Sequence, residues 1–230
     1  MVLAKIKALL LNKPKISYAQ CGEDLIVQFI FEALKIAKPS YLDLGAHHPS
    51  YMSNTFLFYR QGSYGVCVEP DPTLFAQIKR KRSRDTCLNM GVGVSTKEKA
   101  AFYIMTSKAL NTFSKQEAER YQSYGNQRIE AIITIPLISV NEIIAQYFAS
   151  PPQFISIDIE GLDLDILKSL DFKRSRPVVL CIETLTYTED RTERKMTEII
   201  DFVCSHGYFL YADTFINSVF VDKSIWNSHS

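Results

Sequence analysis

Tyr41-Leu-Asp-Leu-Gly-Ala-His-His48 is followed, after a short intervening segment, by Tyr64-Gly-Val-Cys-Val-Glu-Pro-Asp71. Each is a short apolar run. The first ends in Asp43-x-Gly45 and the second in the acid Glu69. A strand, a glycine turn, a helix and a strand tipped by a carboxylate form the nucleotide-binding half of a parallel α/β sheet. The glycine lets backbone approach a ligand closely, and the carboxylate can accept from both hydroxyls of a ribose. Gly45 is followed by Ala46, His47 and His48, so the turn lacks the glycines that cradle a pyrophosphate. A ribose acceptor without a pyrophosphate turn points to an adenosyl ligand without phosphates, and S-adenosylmethionine fits.

Outward from this core, strands and helices alternate. Leu25, Ile26, Phe29, Ile30, Ala33 and Leu34 recur at helical spacing and predict a helix over 22–37. A second helix is expected over 52–60, with Ser53 or Asn54 in its first turn. Asp71-Pro72 opens a third, with aspartate as N-cap and proline at the first helical position. Strands are expected near 86–90 and 100–105. Segment 110–125 reads as a loop with some helix and as a lid. The β-branched run 132–140 contains Pro136, which marks an edge or bulged strand. Ser139-Val-Asn-Glu142 is a capping box that starts a helix burying Ile143, Ile144 and Tyr147.

Further on, 154–159 is a buried strand ending in Asp158-Ile-Glu-Gly161, followed by a helix over 163–170. Segment 177–182 is another strand, tipped by Glu183. A helix over 193–206 stops at Gly207. Segments 208–212 and 218–221 form a closing antiparallel hairpin. The predicted fold is a Rossmann-like, doubly wound, mostly parallel sheet with that hairpin. It forms one domain over 1–230, with 1–38 as an N-terminal helical segment packed on it.

Bulk properties narrow the function. The chain has 230 residues, 47% of them hydrophobic, and a net charge of +1. That balance gives no argument for nucleic acid. The run Lys79-Arg-Lys-Arg82 reads as a solvated helix end. Five cysteines without a CxxC pair suggest buried free thiols in a reducing compartment and a cytoplasmic protein. Residues 1–11 are mildly amphipathic, with Lys5 and Lys7 interrupting them. They suit loose contact with a membrane surface rather than a signal peptide or a spanning helix.

Several segments together resemble the FkbM family of S-adenosylmethionine-dependent methyltransferases. They are Tyr18-Ala-Gln-Cys-Gly-Glu-Asp24, Tyr41-Leu-Asp-Leu-Gly-Ala46, Ser53-Asn-Thr55, Gly65-Val-Cys-Val-Glu-Pro-Asp71, Leu88-Asn-Met-Gly-Val-Gly93 and Ser156-Ile-Asp-Ile-Glu-Gly161. The resemblance implies methylation of hydroxyl oxygens, often on sugars of surface polysaccharides or on glycosylated and polyketide metabolites. This chain departs from the family at two places. His47-His48-Pro49 stands where an Asn-x-Gly turn is common, and Ser156 stands where a lysine is common. Both departures leave the acceptor and any base open.

The expected cofactor residues are Asp43, Gly45, Ala46, His47, Ser53, Asn54, Glu69, Pro70, Asn89, Met90 and Asp158. Glu69 would take the ribose hydroxyls. Asp43 would orient the turn or accept from the cofactor ammonium. Ser53 and Asn54 would offer donors at a helix N-terminus, and Asn89 and Met90 would flank adenine. The expected catalytic residues are His48, Asp158 and Glu160. His48 suits a proton acceptor at neutral pH, Asp158 would lie near the methyl or amino group, and Glu160 would meet the substrate. Each has an ordinary alternative: capping for Ser53, Asn54 and Glu160, core packing for Met90, and a turn position for the histidines. No protein metal set is expected. A divalent cation could still hold the acceptor hydroxyls in a variant of this reading. Competing functions are a metal-dependent hydrolase built on His47, His48, Asp43, Asp158 and Glu160, and a non-catalytic adenosyl-binding module. The acceptor would be a small molecule or carbohydrate, shaped by loops 106–130 and 184–192 with Phe113, Tyr121, Tyr124 and Tyr187.

Overall fold

The computed structural model describes residues 14–94, 99–159, 161–186, 188 and 192–228. Its main sheet has seven strands: β1 (Tyr41–Leu44), β2 (Gly65–Val68), β3 (Thr86–Leu88), β7 (Phe154–Ile157), β8 (Val179–Glu183), β9 (Tyr208–Asp213) and β10 (Asn217–Asp222). Their spatial order is β3-β2-β1-β7-β8-β10-β9. Only β10 runs against its neighbours, pairing antiparallel with both β8 and β9. The chain winds outward from β1 to β3 and then returns to the other side of β1 to place β7. The order therefore reverses between β1 and β7, where open α/β sheets bind ligands at the carboxyl ends of their strands.

Both faces of this sheet are covered, so its strands read as continuous apolar runs. Leu42, Leu44, Val66, Val68, Ile155, Ile157, Leu180 and Ile182 pack one face. They meet α5 (Val140–Tyr147), α6 (Asp163–Ser169) and α7 (Thr197–Ser205) through Ile143, Ile144, Ile166, Leu167, Ile199 and Val203. Alternation sends Tyr41, Cys67, Phe154, Val179 and Cys181 to the opposite face. There they meet α1 (Glu23–Ala33), α2 (Phe56–Arg60) and α3 (Pro72–Lys81) through Val27, Ile30, Phe31, Phe56, Phe58 and Ile78. A short α8 (Lys223–Ser228) ends the described chain.

A second sheet is inserted between β3 and α5. It comprises β4 (Gly91–Gly93), β5 (Lys99–Met105) and β6 (Ile129–Ser139), in the order β4-β6-β5. The strands expected near 100–105 and over 132–140 lie in this second sheet. Residues 129–136 of β6 pair with β5, and 137–139 pair with β4. Pro136 sits at the handover, where a missing N–H is tolerated. A 3-10 turn over Lys108–Leu110 and α4 (Lys115–Ser123) complete the insertion.

Helix ends follow local chemistry. Asp71 accepts from the N–H groups of Thr73 and Leu74 at 2.7 and 3.2 Å. Ser139 accepts from the Glu142 N–H at 3.2 Å. Several expected ends move. Met52 has φ 51°, so the helix expected from 52 starts at Phe56. Tyr147, expected in the core, is exposed on α5. The helix expected from 193 starts at Thr197, because Lys195 forms a bridge with Leu185. Among the described residues no helix is long and apolar enough to cross a membrane. The membrane contact expected of 1–11 lies outside the described residues.

The N-terminal motif works as a clasp. The buried Glu23 accepts from Thr214 Oγ1 at 2.7 Å and from Asn217 Nδ2 at 3.0 Å, tying α1 to the β9–β10 hairpin. Asp24 accepts from Ser17 Oγ and the Tyr18 N–H at 2.6 and 2.7 Å. Cys67 and Cys181 are buried as expected, but Cys21 is exposed.

Candidate active site

A cavity of about 320 Å³ opens at the carboxyl edge of β1, β2, β7 and β8. One wall is the sheet edge: Gly45, His47, Val68, Glu69, Pro70, Asp158, Ile159 and Glu183. The insertion supplies the other wall, with Val92, Phe102, Ser107–Asn111, Phe113 and Gln127. Gln20, Met52, Met90 and Leu162 complete the lining. The size lies at the small end of small-molecule pockets, roughly 300–1,000 Å³.

The turn after β1 is shaped by its neighbours. Gly45 has φ +81°, and a Cβ there would stand 1.8 Å from the Asp158 carbonyl oxygen. The close approach this glycine permits is thus to backbone 158, where β1 and β7 part. The Gly45 and Ala46 N–H groups both donate to Val68 O at 3.1 Å. His47 follows in the left-handed region at φ 48°. Its N–H is aimed at β2 and donates to Glu69 Oε2 at 2.8 Å.

Glu69 is the organising acid. It is 5% exposed, and its Oε1 accepts from the Asp71 N–H at 2.8 Å. Burial pushes its carboxyl up to about 8, despite the two backbone donors that favour the ionised form. Each oxygen retains a lone pair for another donor. Across the cavity, burial raises the Asp158 carboxyl, and Asp163 and Asp43 add to the effect. Asp163 caps the turn by accepting from the Ile159 and Gly161 N–H groups at 3.2 and 3.3 Å.

The structure brings together Gly45, His47, Glu69, Pro70, Met90 and Asp158 from the expected set. Others fall elsewhere. Asp43 is buried on the far face, accepting from Thr55 Oγ1 at 2.5 Å with Arg82 Nη1 3.6 Å away. Ala46 is core. Ser53 Oγ accepts from the Phe56 N–H at 3.2 Å at the start of α2, and Asn54 Nδ2 donates to Ser156 Oγ at 3.1 Å. Asn89 Nδ2 braces the loop by donating to Glu69 O and Pro70 O, both at 2.9 Å.

His48 lies apart from this set. Its ring is absent from the cavity lining. Its Nδ1 accepts from the Ser50 and Tyr51 N–H groups at 3.2 and 2.9 Å. That fixes the neutral tautomer with hydrogen on Nε2, which leaves no free lone pair to take a proton. Glu160 and Tyr187 lie outside the described residues. Tyr121 is packed in the insertion's own core beside Met105 and Leu110.

Sequence reasoning missed Arg82. This fully buried residue, expected to be a solvated helix end, pairs with Asp85 at 2.8 Å and donates to Thr55 Oγ1 at 2.8 Å. Burial works against its charge, and the neighbouring Asp43 and Asp85 carboxylates favour it. The signal available was Asp85 three residues on; Asp43 and Thr55 come from distant segments. Gln20 stands in a recognised motif and reaches the cavity, and Glu183 tips β8. Neither had been assigned a role.

The arrangement suits a cationic adenosyl ligand. A buried acid at the tip of β2 can receive ribose hydroxyls, and Met90, Val92 and Phe102 offer an apolar slot. Asp158 and Glu183 place negative charge where a sulfonium or ammonium would be stabilised. Among the described residues, no group of three or more His, Cys, Asp or Glu is placed to hold a metal ion.

No curated protein sequence matches the chain. Among solved structures, a TehB-like SAM-dependent methyltransferase from Corynebacterium glutamicum is 10% identical, with 96% of each chain covered and a TM-score of 0.44. A putative caffeoyl-CoA O-methyltransferase from Staphylococcus aureus is 9% identical, covering 96% of this chain and 91% of its own, with a TM-score of 0.47. An O-methyltransferase from Bacillus cereus in complex with SAH is 12% identical, covering 96% and 86%, with a TM-score of 0.43. Residues 43–210, most of the chain, match the methyltransferase FkbM domain. The chain belongs to the FkbM family, and it is an S-adenosylmethionine-dependent methyltransferase.

Proposed function

We propose that this enzyme methylates a hydroxyl oxygen of a sugar or glycosylated metabolite. The observation that carries this reading is the insertion's wall of the cavity. Ser107, Lys108 and Gln127 offer hydrogen-bonding groups beside the ring of Phe113. Polar groups next to an aromatic face suit a polyhydroxylated ring, which presents hydroxyls at its edge and C–H bonds on its face.

The bound cofactor supplies a methyl group on a sulfonium, ready for in-line displacement. Glu69 would hold it by accepting ribose hydroxyls, Met90 and Val92 would pack against adenine, and Asp158 would counter its positive charge. The left-handed turn at Gly45 and His47 fixes the distance between these acids. An alcohol must lose its proton as the new bond forms. In this proposal Asp158 takes that proton, because its raised affinity for protons suits the task. Glu160, close to Asp158 in sequence, is the second candidate for that role. The whole chain, residues 1–230, acts as one catalytic domain, clasped at its N-terminal segment by Glu23. It works in the cytoplasm, where its thiols stay reduced.

The test is a transfer screen with methyl-labelled cofactor against nucleotide sugars, oligosaccharides, amines and carboxylates. The reading expects methyl ethers of sugar hydroxyls. Label found only on amines or carboxylates would overturn it.

A further inference from the structure

Asp71 has two jobs. Its Oδ1 caps α3. Its Oδ2 reaches into the insertion and accepts from Asn111 Nδ2 at 3.1 Å. Asn111 closes the 3-10 turn that contributes residues 107–110 to the cavity wall, and its Oδ1 accepts from the Met105 N–H at 2.8 Å. Asp71 and Asn111 are 1% and 9% exposed. Neither side chain can leave the other without stranding a buried polar group. The same Asp71 donates its N–H to Glu69 Oε1 at 2.8 Å.

We infer that Asn111 is a positioning residue for the cofactor: through Asp71 it locks the insertion's wall in register with the Glu69 carboxylate. The inference rests on the reading of Glu69 as the ribose acceptor. Both walls of the cavity are referenced to one short chain of bonds: Met105 N–H to Asn111, Asn111 to Asp71, Asp71 N–H to Glu69. A shift of the turn away from α3 would move Asp71 and free the carboxylate that the His47 N–H holds on its other side. The cavity then keeps its lining residues but loses their alignment, so the cofactor is held less well while the fold persists.

The experiment swaps the pair. Asn111→Asp keeps the acceptor for the Met105 N–H but faces a second carboxylate towards Asp71. Combining it with Asp71→Asn restores one donor and one acceptor, and asparagine is as good an N-cap as aspartate. Binding of S-adenosylhomocysteine is measured by calorimetry, with melting temperature and the split between cofactor KM and kcat as companions. We expect Asn111→Asp to bind about tenfold more weakly with kcat within about threefold, and the double variant to recover to within about threefold. If Asn111→Asp does not fold, Asn111→Ala carries the test with a loss of several fold expected. Wild-type binding by the folded single variant, or a folded double variant that fails to recover, would overturn the inference. Glu69→Ala is the control. If it binds normally, the ribose assignment is wrong; if it binds weakly while Asn111→Asp does not, only the role of Asn111 is wrong.

Discussion

Cofactor binding should release a proton from Glu69. The carboxyl is buried and titrates at about 8 without ligand. Ribose hydroxyls donate to it, and a hydrogen bond to the charged form favours that form. At about pH 7 roughly nine-tenths of the unliganded protein carries a protonated Glu69, so binding should release about 0.9 proton per ligand. Selecting the ionised tenth costs about tenfold in affinity against the plateau reached above about pH 9. Asp158 is shifted in the same direction and adds to the release. Calorimetry of S-adenosylhomocysteine in buffers of different ionisation heat reads the proton count directly. The difference between wild type and Glu69→Gln isolates Glu69, because glutamine cannot ionise. A linked sign check uses the ligand-free protein. Its Glu69 pKa is raised, so its contribution to stability is full below the ordinary carboxylate range and is lost as pH rises through about 8. Wild type should lose melting temperature across that window more than Glu69→Gln does. Buffer-independent binding heats and a flat pH profile of affinity would refute the reasoning.

Other outcomes follow from packing and geometry. Arg82→Ala leaves Asp43 and Asp85 buried without their cation, so stability should fall by about 3–5 kcal/mol in urea unfolding. Gly45→Ala places a methyl against the Asp158 carbonyl at positive φ, so purified variant should lose cofactor binding or fail to fold, read by calorimetry and circular dichroism. His48→Ala should keep the methyl-transfer rate within about threefold, whereas Asp158→Asn should reduce it by about a hundredfold or more. A reversal of those two rates would return the proton acceptor to the histidine.

Much of the scaffold was readable because its strands are buried on both faces. Leu42, Leu44, Val66, Val68, Ile155, Ile157, Leu180 and Ile182 form short apolar runs that end in charge, and Asp71-Pro72 announces its helix. Glu69 and Asp158 could be placed at the cavity because strand tips at a sheet's carboxyl edge are where ligands of open α/β sheets bind. The failures have a common cause: the missing partner lies far along the chain. Arg82 looks solvated until Asp43 and Thr55 are folded onto it. Pro136 marks an awkward strand, yet nothing local says that β6 changes partner there to build a second sheet. His48 was expected to be the proton acceptor because its ring titrates near neutral pH. His47, left-handed at φ 48°, lines the cavity, whereas the neighbouring His48 accepts from the Ser50 and Tyr51 N–H groups. Gln20 belongs to a motif that was legible, but its place in the cavity wall follows only once the N-terminal segment is folded onto the sheet's carboxyl edge.

A crystal structure with S-adenosylhomocysteine tests the account most directly. The account predicts both ribose hydroxyls within hydrogen-bond distance of the Glu69 carboxylate, adenine against Met90 and Val92, and the sulfur end turned towards Asp158. A ribose held elsewhere, with Glu69 still bound only by the His47 and Asp71 N–H groups, would contradict it.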